Sequence, residues 1–161
     1  MHDYFELLSL EKRYDTDLEI LNQQYLAMQV KYHPDRSVDK NQNLSISVDL
    51  NKAYGILKDD FKRAEYMLSL HGLNLDASEA HAVLSDLELN YIWDDLETLE
   101  NTNDKTVLEG MLQNKLLEKN MLVAKITNAF GKEDLESALS ETVRLKYLNN
   151  LLDNIELKIR L

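Results

Sequence analysis

The chain has 161 residues, 44% hydrophobic and 29% charged, enough for one domain or two small ones and too apolar for a disordered polymer. One proline and four glycines cannot supply the many tight turns of a sandwich or barrel, and the absence of cysteine excludes disulfides, thiolate metal sites and a cysteine nucleophile. A formal charge of −11 repels nucleic acid and anionic membranes, so neither is an expected partner.

The first residues, Met1-His2-Asp3-Tyr4-Phe5-Glu6, carry neither a basic nor an apolar leader segment, and no run approaches the ~20 apolar residues of a membrane span. A cytoplasmic protein is the expectation. Tyr4 to Leu8 can form only a turn or two of helix. Thr16 and Glu19 have the spacing of a capping box, and Leu18, Leu21, Tyr25, Met28 and Tyr32 then recur along one stripe, predicting a helix over about 17–32. Pro34 forces a break at residues 33–35, and the polar, unperiodic segment 36–43 reads as a loop. Ile46, Leu50, Ala53, Tyr54 and Leu57 predict a second helix ending near Lys58. A shorter helix follows, capped by Asp59 or Asp60, carrying Ala64, Met67 and Leu68 and closed at Gly72.

Residues 74–79 have the composition of a linker. Beyond them come three longer helical patterns. Val83, Leu84, Leu87, Trp93, Leu96 and Leu99 mark the first, which breaks at 101–104. Val107, Leu108, Met111, Leu112, Leu116, Met121, Leu122, Ile126 and Phe130 mark the second, with Gly131 placed to end it. Leu135 to Ile159 mark the third. The expected fold is all-α, with a helical hairpin and short flanking helices in residues 1–73 and an antiparallel three-helix bundle in residues 74–161.

Charge is uneven. Residues 1–72 hold 9 basic and 12 acidic side chains, residues 73–161 hold 9 and 17, and no Lys or Arg occurs between Arg63 and Lys105. Such a run is either a solvated face or a docking surface for a basic partner, where it would raise the association rate more than the affinity.

The segment Lys31-Tyr32-His33-Pro34-Asp35-Arg36 lies at the break between two amphipathic helices, with a short helix ahead of the pair. With Asp3-Tyr4-Phe5 before it and Asn51-Lys52-Ala53-Tyr54 after it, it resembles the J domain of DnaJ-type co-chaperones. Residues 63–72 (RAEYMLSLHG), followed by an acidic three-helix unit, extend the resemblance over essentially the whole chain to the HscB family. Members of that family are J-type co-chaperones of iron–sulfur cluster biogenesis. The resemblance implies an N-terminal domain that stimulates a DnaK-like ATPase of the HscA type and a C-terminal domain that binds the scaffold protein IscU. It places Asp35 against the ATPase, with His33, Pro34, Lys31 and Arg36 beside it, and scaffold binding on Val83, Leu84, Leu87, Glu88 and Tyr147.

The chemistry of the tripeptide agrees with a docking role. Pro34 stiffens the turn, His33 can buttress it, and Asp35 is left to accept hydrogen bonds from a partner's guanidinium or amide groups. One departure stands out, because J domains display several basic residues on the helix before the tripeptide and this chain has none between Tyr14 and Val30. Only Lys31, Arg36, Lys12 and Arg13 are near.

An enzyme is not expected. The histidines at 2, 33, 71 and 81 are scattered, the glycines are isolated, and neither a metal-ligand pair nor a phosphate loop is present in the sequence. No cofactor is expected and direct ligation of a cluster is not. The competing readings are an acidic helical adaptor for another protein, and a J protein serving a general DnaK chaperone with other clients.

Overall fold

The computed structural model describes residues 3–33, 40–75 and 84–161, apart from the side chains of residues 40–42 and 87. Among these, all regular structure is helical: α1 (Tyr4–Leu7), α2 (Leu18–Lys31), α3 (Lys40–Leu57), α4 (Asp60–Leu70), α5 (Asp86–Asn101), α6 (Lys105–Gly131) and α7 (Leu135–Arg160). The chain divides into two compact units, Met1–Met67 and Leu68–Leu161, and the division falls inside α4 rather than at residue 73. The expected linker at 74–79 lies mostly outside the described residues.

In the first unit the helix ends follow from short side-chain contacts. Asp3 caps α1 by accepting from the Phe5 amide at 2.9 Å. Asp17, not Thr16, caps α2: its carboxylate accepts from the Glu19 and Ile20 amides at 2.8 and 3.3 Å, while the Thr16 hydroxyl donates back to the Arg13 carbonyl. A carboxylate beside the first helical residue out-competes a hydroxyl already engaged with the preceding turn. The helix α3 begins at Lys40, so residues 40–43 are helical and not loop. Its first turn is polar throughout and therefore carries no apolar periodicity to read.

Phe5, Leu8, Tyr14, Leu21, Leu50, Ala53, Leu57 and Ala64 are buried in this unit. The pair α2/α3 is also sewn together on its surface. Tyr25 stacks on Tyr54 with ring centroids 4.2 Å apart, and Asn51 Oδ1 accepts from both the Tyr25 hydroxyl and the Gln29 amide at 2.7 Å. At the far end, Tyr66 stacks on Tyr4 at 4.5 Å, and its hydroxyl accepts from the Tyr4 amide at 2.9 Å.

In the second unit Gly72 (φ +77°) closes α4 as expected: the amides of Gly72 and Leu73 donate to the carbonyls of Ser69 and Leu68. The turn after α6 uses a different residue from the one expected. Gly131 is still helical, and the left-handed position is Glu133 (φ +57°), with Asp134 donating back to the Ala129 carbonyl at 2.9 Å. Asp134 then caps α7 through the Ser137 amide.

The three long helices form an up-down-up bundle. Ala129 and Ala138 meet beside the short turn, with Leu68 against them, while Leu108 reaches Leu151 and Ile155 at the other end, so α6 and α7 run antiparallel. Leu99 joins that far cluster from α5. Trp93, expected in the apolar stripe of α5, is instead 68% exposed, and Leu116 and Met121 of α6 are exposed too.

Candidate functional site

The first candidate face is the C-terminal end of α2. Lys31 closes the last turn, where a cation is favoured by the helix dipole, and its Nζ lies 5.1 Å from the Tyr32 ring centroid. The Tyr32 amide donates to the Met28 carbonyl, ending the helix, and His33 follows, exposed. Pro34, Asp35 and Arg36 lie outside the described residues.

The two basic residues ahead of α2 are already engaged. Lys12 Nζ is 2.5 Å from Asp3, and Arg13 forks onto Asp15 at 2.5 and 2.6 Å. The exposed surface of α2 instead presents Leu18, Glu19, Ile20, Asn22, Gln23, Leu26, Ala27 and Val30. Asn51 and Tyr54, noted in the sequence as part of a motif, position this face by holding α3 against α2.

The second candidate face lies in the bundle. Ser85 and Glu88 form a complete capping box at the start of α5: Ser85 donates its amide and hydroxyl to Glu88 Oε2, each at 2.7 Å, and accepts from the Glu88 amide. The other carboxylate oxygen of Glu88 takes a short ion pair from Arg144 Nη2 on α7. Arg144 Nη1 donates to Glu141 at 2.7 Å, and burial pushes the Glu141 carboxyl up against the opposing charge of Lys125.

Between α5, α6 and α7 lies a cleft of about 550 Å³. Glu88, Tyr91, Ile92, Asp95, Tyr147 and Leu151 are among its walls. Lys115 reaches it from α6, with Nζ 2.5 Å from Asp95 and 3.0 Å from Glu118. Burial lowers the basicity of Lys115, but these two carboxylates outweigh it and hold the ammonium charged. Apolar walls with a rim of paired charges suit the recognition of another protein's side chains.

Of the residues expected on this face, Glu88 and Tyr147 line the cleft together. Leu84 is a correction. It is 6% exposed and packs on Val143, with Leu89, Ile92 and Tyr147 around it, so it supports the wall from behind. Val83 and the side chain of Leu87 lie outside the described residues. Ile92 and Asp95 were not expected, and Tyr91 stood in the sequence only as a possibility where Asn90-Tyr91 replace the family's Arg-Glu pair. They follow Glu88 at steps of three, four and seven, the spacing that puts them on its face of α5, and that spacing was the available signal.

Among the described residues, no group of three or more acidic or histidine side chains is placed to hold a metal ion, and no helix is long and apolar enough to cross a membrane.

Comparison with known proteins addresses both units. Residues 3–66 match the DnaJ domain, and residues 94–156 match the HSCB C-terminal oligomerisation domain. The co-chaperone protein HscB of Proteus mirabilis is 30% identical over 96% of this chain and 94% of its own length. The solved chaperone HscB from Vibrio cholerae superposes with a TM-score of 0.79, is 26% identical and covers 96% of each chain. Human co-chaperone protein HscB shares the fold, with a TM-score of 0.91 at 24% identity, covering 98% of this chain and 82% of that one.

Proposed function

Because the chain belongs to the HscB family of J-type co-chaperones, we propose that it stimulates ATP hydrolysis by a DnaK-like chaperone of the HscA type. In the same act it delivers an IscU-type scaffold protein to that chaperone. The cellular role is assistance to iron–sulfur cluster assembly and transfer, in the cytoplasm, with the cluster as cargo. The observation that carries this reading is the joining, in one chain, of a J-domain match over 3–66 and an HscB-type C-terminal match over 94–156.

The ATPase meets the segment that follows α2: by the family resemblance Asp35 accepts hydrogen bonds from the partner, assisted by Lys31, His33, Pro34 and Arg36. The scaffold occupies the cleft face, with Glu88, Tyr91, Asp95 and Tyr147 as contacts and Leu84 behind them, and Val83 and Leu87 join the proposal by the family resemblance alone. The protein works as an adaptor and not as an enzyme. Holding scaffold and ATPase on one chain raises the effective concentration of one at the other, and the bound J domain biases the chaperone's conformation. The description of the C-terminal model as an oligomerisation domain adds self-association as a second property of the bundle.

The test is a titration of scaffold into the chaperone with and without this protein, following ATP turnover. Scaffold and co-chaperone together accelerate hydrolysis beyond the product of their separate effects. Equal acceleration by unrelated DnaK-type chaperones, indifferent to scaffold, would assign the chain to other clients.

A further inference from the structure

The helix α6 buries one face in the bundle and carries exposed, uncharged residues along another. Leu108, Leu122, Ile126 and Ala129 point inward and are buried. On the opposite side Gly110, Asn114, Leu117, Met121, Ala124 and Asn128 are all exposed, Leu117 and Met121 each by 64%. Their spacing is four, three, four, three, four, an unbroken heptad seam, with Asn114, Met121 and Asn128 at one core position and Gly110, Leu117 and Ala124 at the other. Leu117 and Met121 are two large apolar side chains that the bundle leaves uncovered on this side.

Charge says what can cover it. The second unit carries 9 basic and 17 acidic side chains, and α5 holds six carboxylates with no cation, so most of its surface repels a second copy. The seam on α6 holds no charged residue at all, and α6 as a whole has four lysines against two glutamates. It is an uncharged surface of the acidic unit, on which two copies can approach without repulsion. Asparagine at core heptad positions costs some stability and sets register and a low oligomer number, and two small residues allow the helices to come close.

We propose that the outer seam of α6 is the self-association surface of this protein, pairing with the same seam of a second copy through Leu117 and Met121 and registered by Asn114 and Asn128. This rests on the oligomerisation reading given above and names the surface that performs it. The cleft takes Lys115, Glu118 and Leu122 from α6 and none of the six seam residues, so self-association and cleft occupancy use different residues.

The experiment is sedimentation equilibrium of the full chain across micromolar to submillimolar concentration, comparing wild type with the double variant Leu117→Asp, Met121→Asp and with Trp93→Asp, an exposed change off the seam. Both substituted seam positions are exposed, so folding is preserved and is checked by circular dichroism. The wild type and Trp93→Asp form dimers, and the double variant dimerises at least about tenfold more weakly. A wild type that stays monomeric throughout overturns the oligomerisation reading and the inference with it. A double variant that dimerises as well as wild type overturns only the seam, leaving the oligomerisation to another surface.

Discussion

The guanidinium of Arg63 lies 4.8 Å from the ring centroid of Tyr14, and its Nε donates to that residue's own carbonyl at 2.7 Å. Both side chains are buried, and the remaining donors of Arg63 reach the Leu57 carbonyl at 2.6 Å and Asp60 at 2.8 Å. The residue that opens the RAEYMLSLHG signature is therefore the fastener between the α1–α2 connection and the α3–α4 turn, not a docking residue.

Replacing it tests that role. Arg63→Met keeps the aliphatic stem but takes the guanidinium donor from the Leu57 carbonyl and leaves the Tyr14 carbonyl with the Thr16 amide alone, and should cost about 2–4 kcal/mol. Urea denaturation would register this as a lower midpoint. A lysine substitution should recover little, because one ammonium cannot satisfy three acceptors set in different directions.

Asp3 makes the first unit sensitive to acid. Burial raises its carboxyl's pKa, but the hydrogen bond and charge of Lys12, with the Phe5 amide and the Tyr66 hydroxyl, outweigh it and hold the group below its ordinary 3.8. A pKa depressed by folding means stability that is fully present above the unfolded value and is lost as pH falls through the folded one. Asp3→Asn keeps the α1 cap but removes the charge. The variant should be less stable than wild type at pH 7, and the gap should close below about pH 3.8. Denaturation midpoints from pH 7 down to 2.5 measure it, and a gap independent of pH would show that the charge is irrelevant.

The turn after α6 stores a small strain. Glu133 takes a left-handed backbone that L side chains adopt at a cost of about 1 kcal/mol, and glycine does not meet that cost. Glu133→Gly should therefore stabilise the protein by up to about 1 kcal/mol, read as a rise in thermal midpoint of a few degrees.

These cases mark what the sequence carried and what it did not. Apolar spacing located the helices from α2 to α7, and Gly72 closes α4 where it was expected. Boundaries failed where side chains compete locally: Thr16 and Asp17 are adjacent cap formers, and only the contact with the Arg13 carbonyl decides between them. The start of α3 was invisible because a polar first turn has no period. On α6 the apolar residues fall on two faces, which a simple list merges into one stripe, and Leu116 and Met121 joined a core they do not enter. In the cleft, Glu88 and Tyr147 were legible, whereas Tyr91 and Asp95 emerge once α5 and α7 are seen to flank a shared cavity.

Glu88 separates stability from binding. Glutamine at this position still completes a capping box, so Glu88→Gln should leave the helix intact and change stability by less than about 1 kcal/mol. It removes the charge facing Arg144 and the scaffold, and should weaken scaffold binding by about tenfold in calorimetric titration. Unchanged affinity would confine Glu88 to the helix cap and its pair with Arg144.

Few cations on α2 should also show in the salt dependence. With Lys12 and Arg13 paired internally, stimulation of the ATPase should fall only slightly as ionic strength rises from low to physiological values. A steep decline would mean that basic residues elsewhere carry the encounter.

Single-turnover ATP hydrolysis on the cognate HscA-type chaperone, with and without IscU-type scaffold, separates the native chain from Asp35→Asn. The native protein should accelerate hydrolysis, scaffold should increase the effect, and the folded Asp35→Asn chain should do neither. Equal rates with native protein, with variant and with neither would contradict a stimulating role.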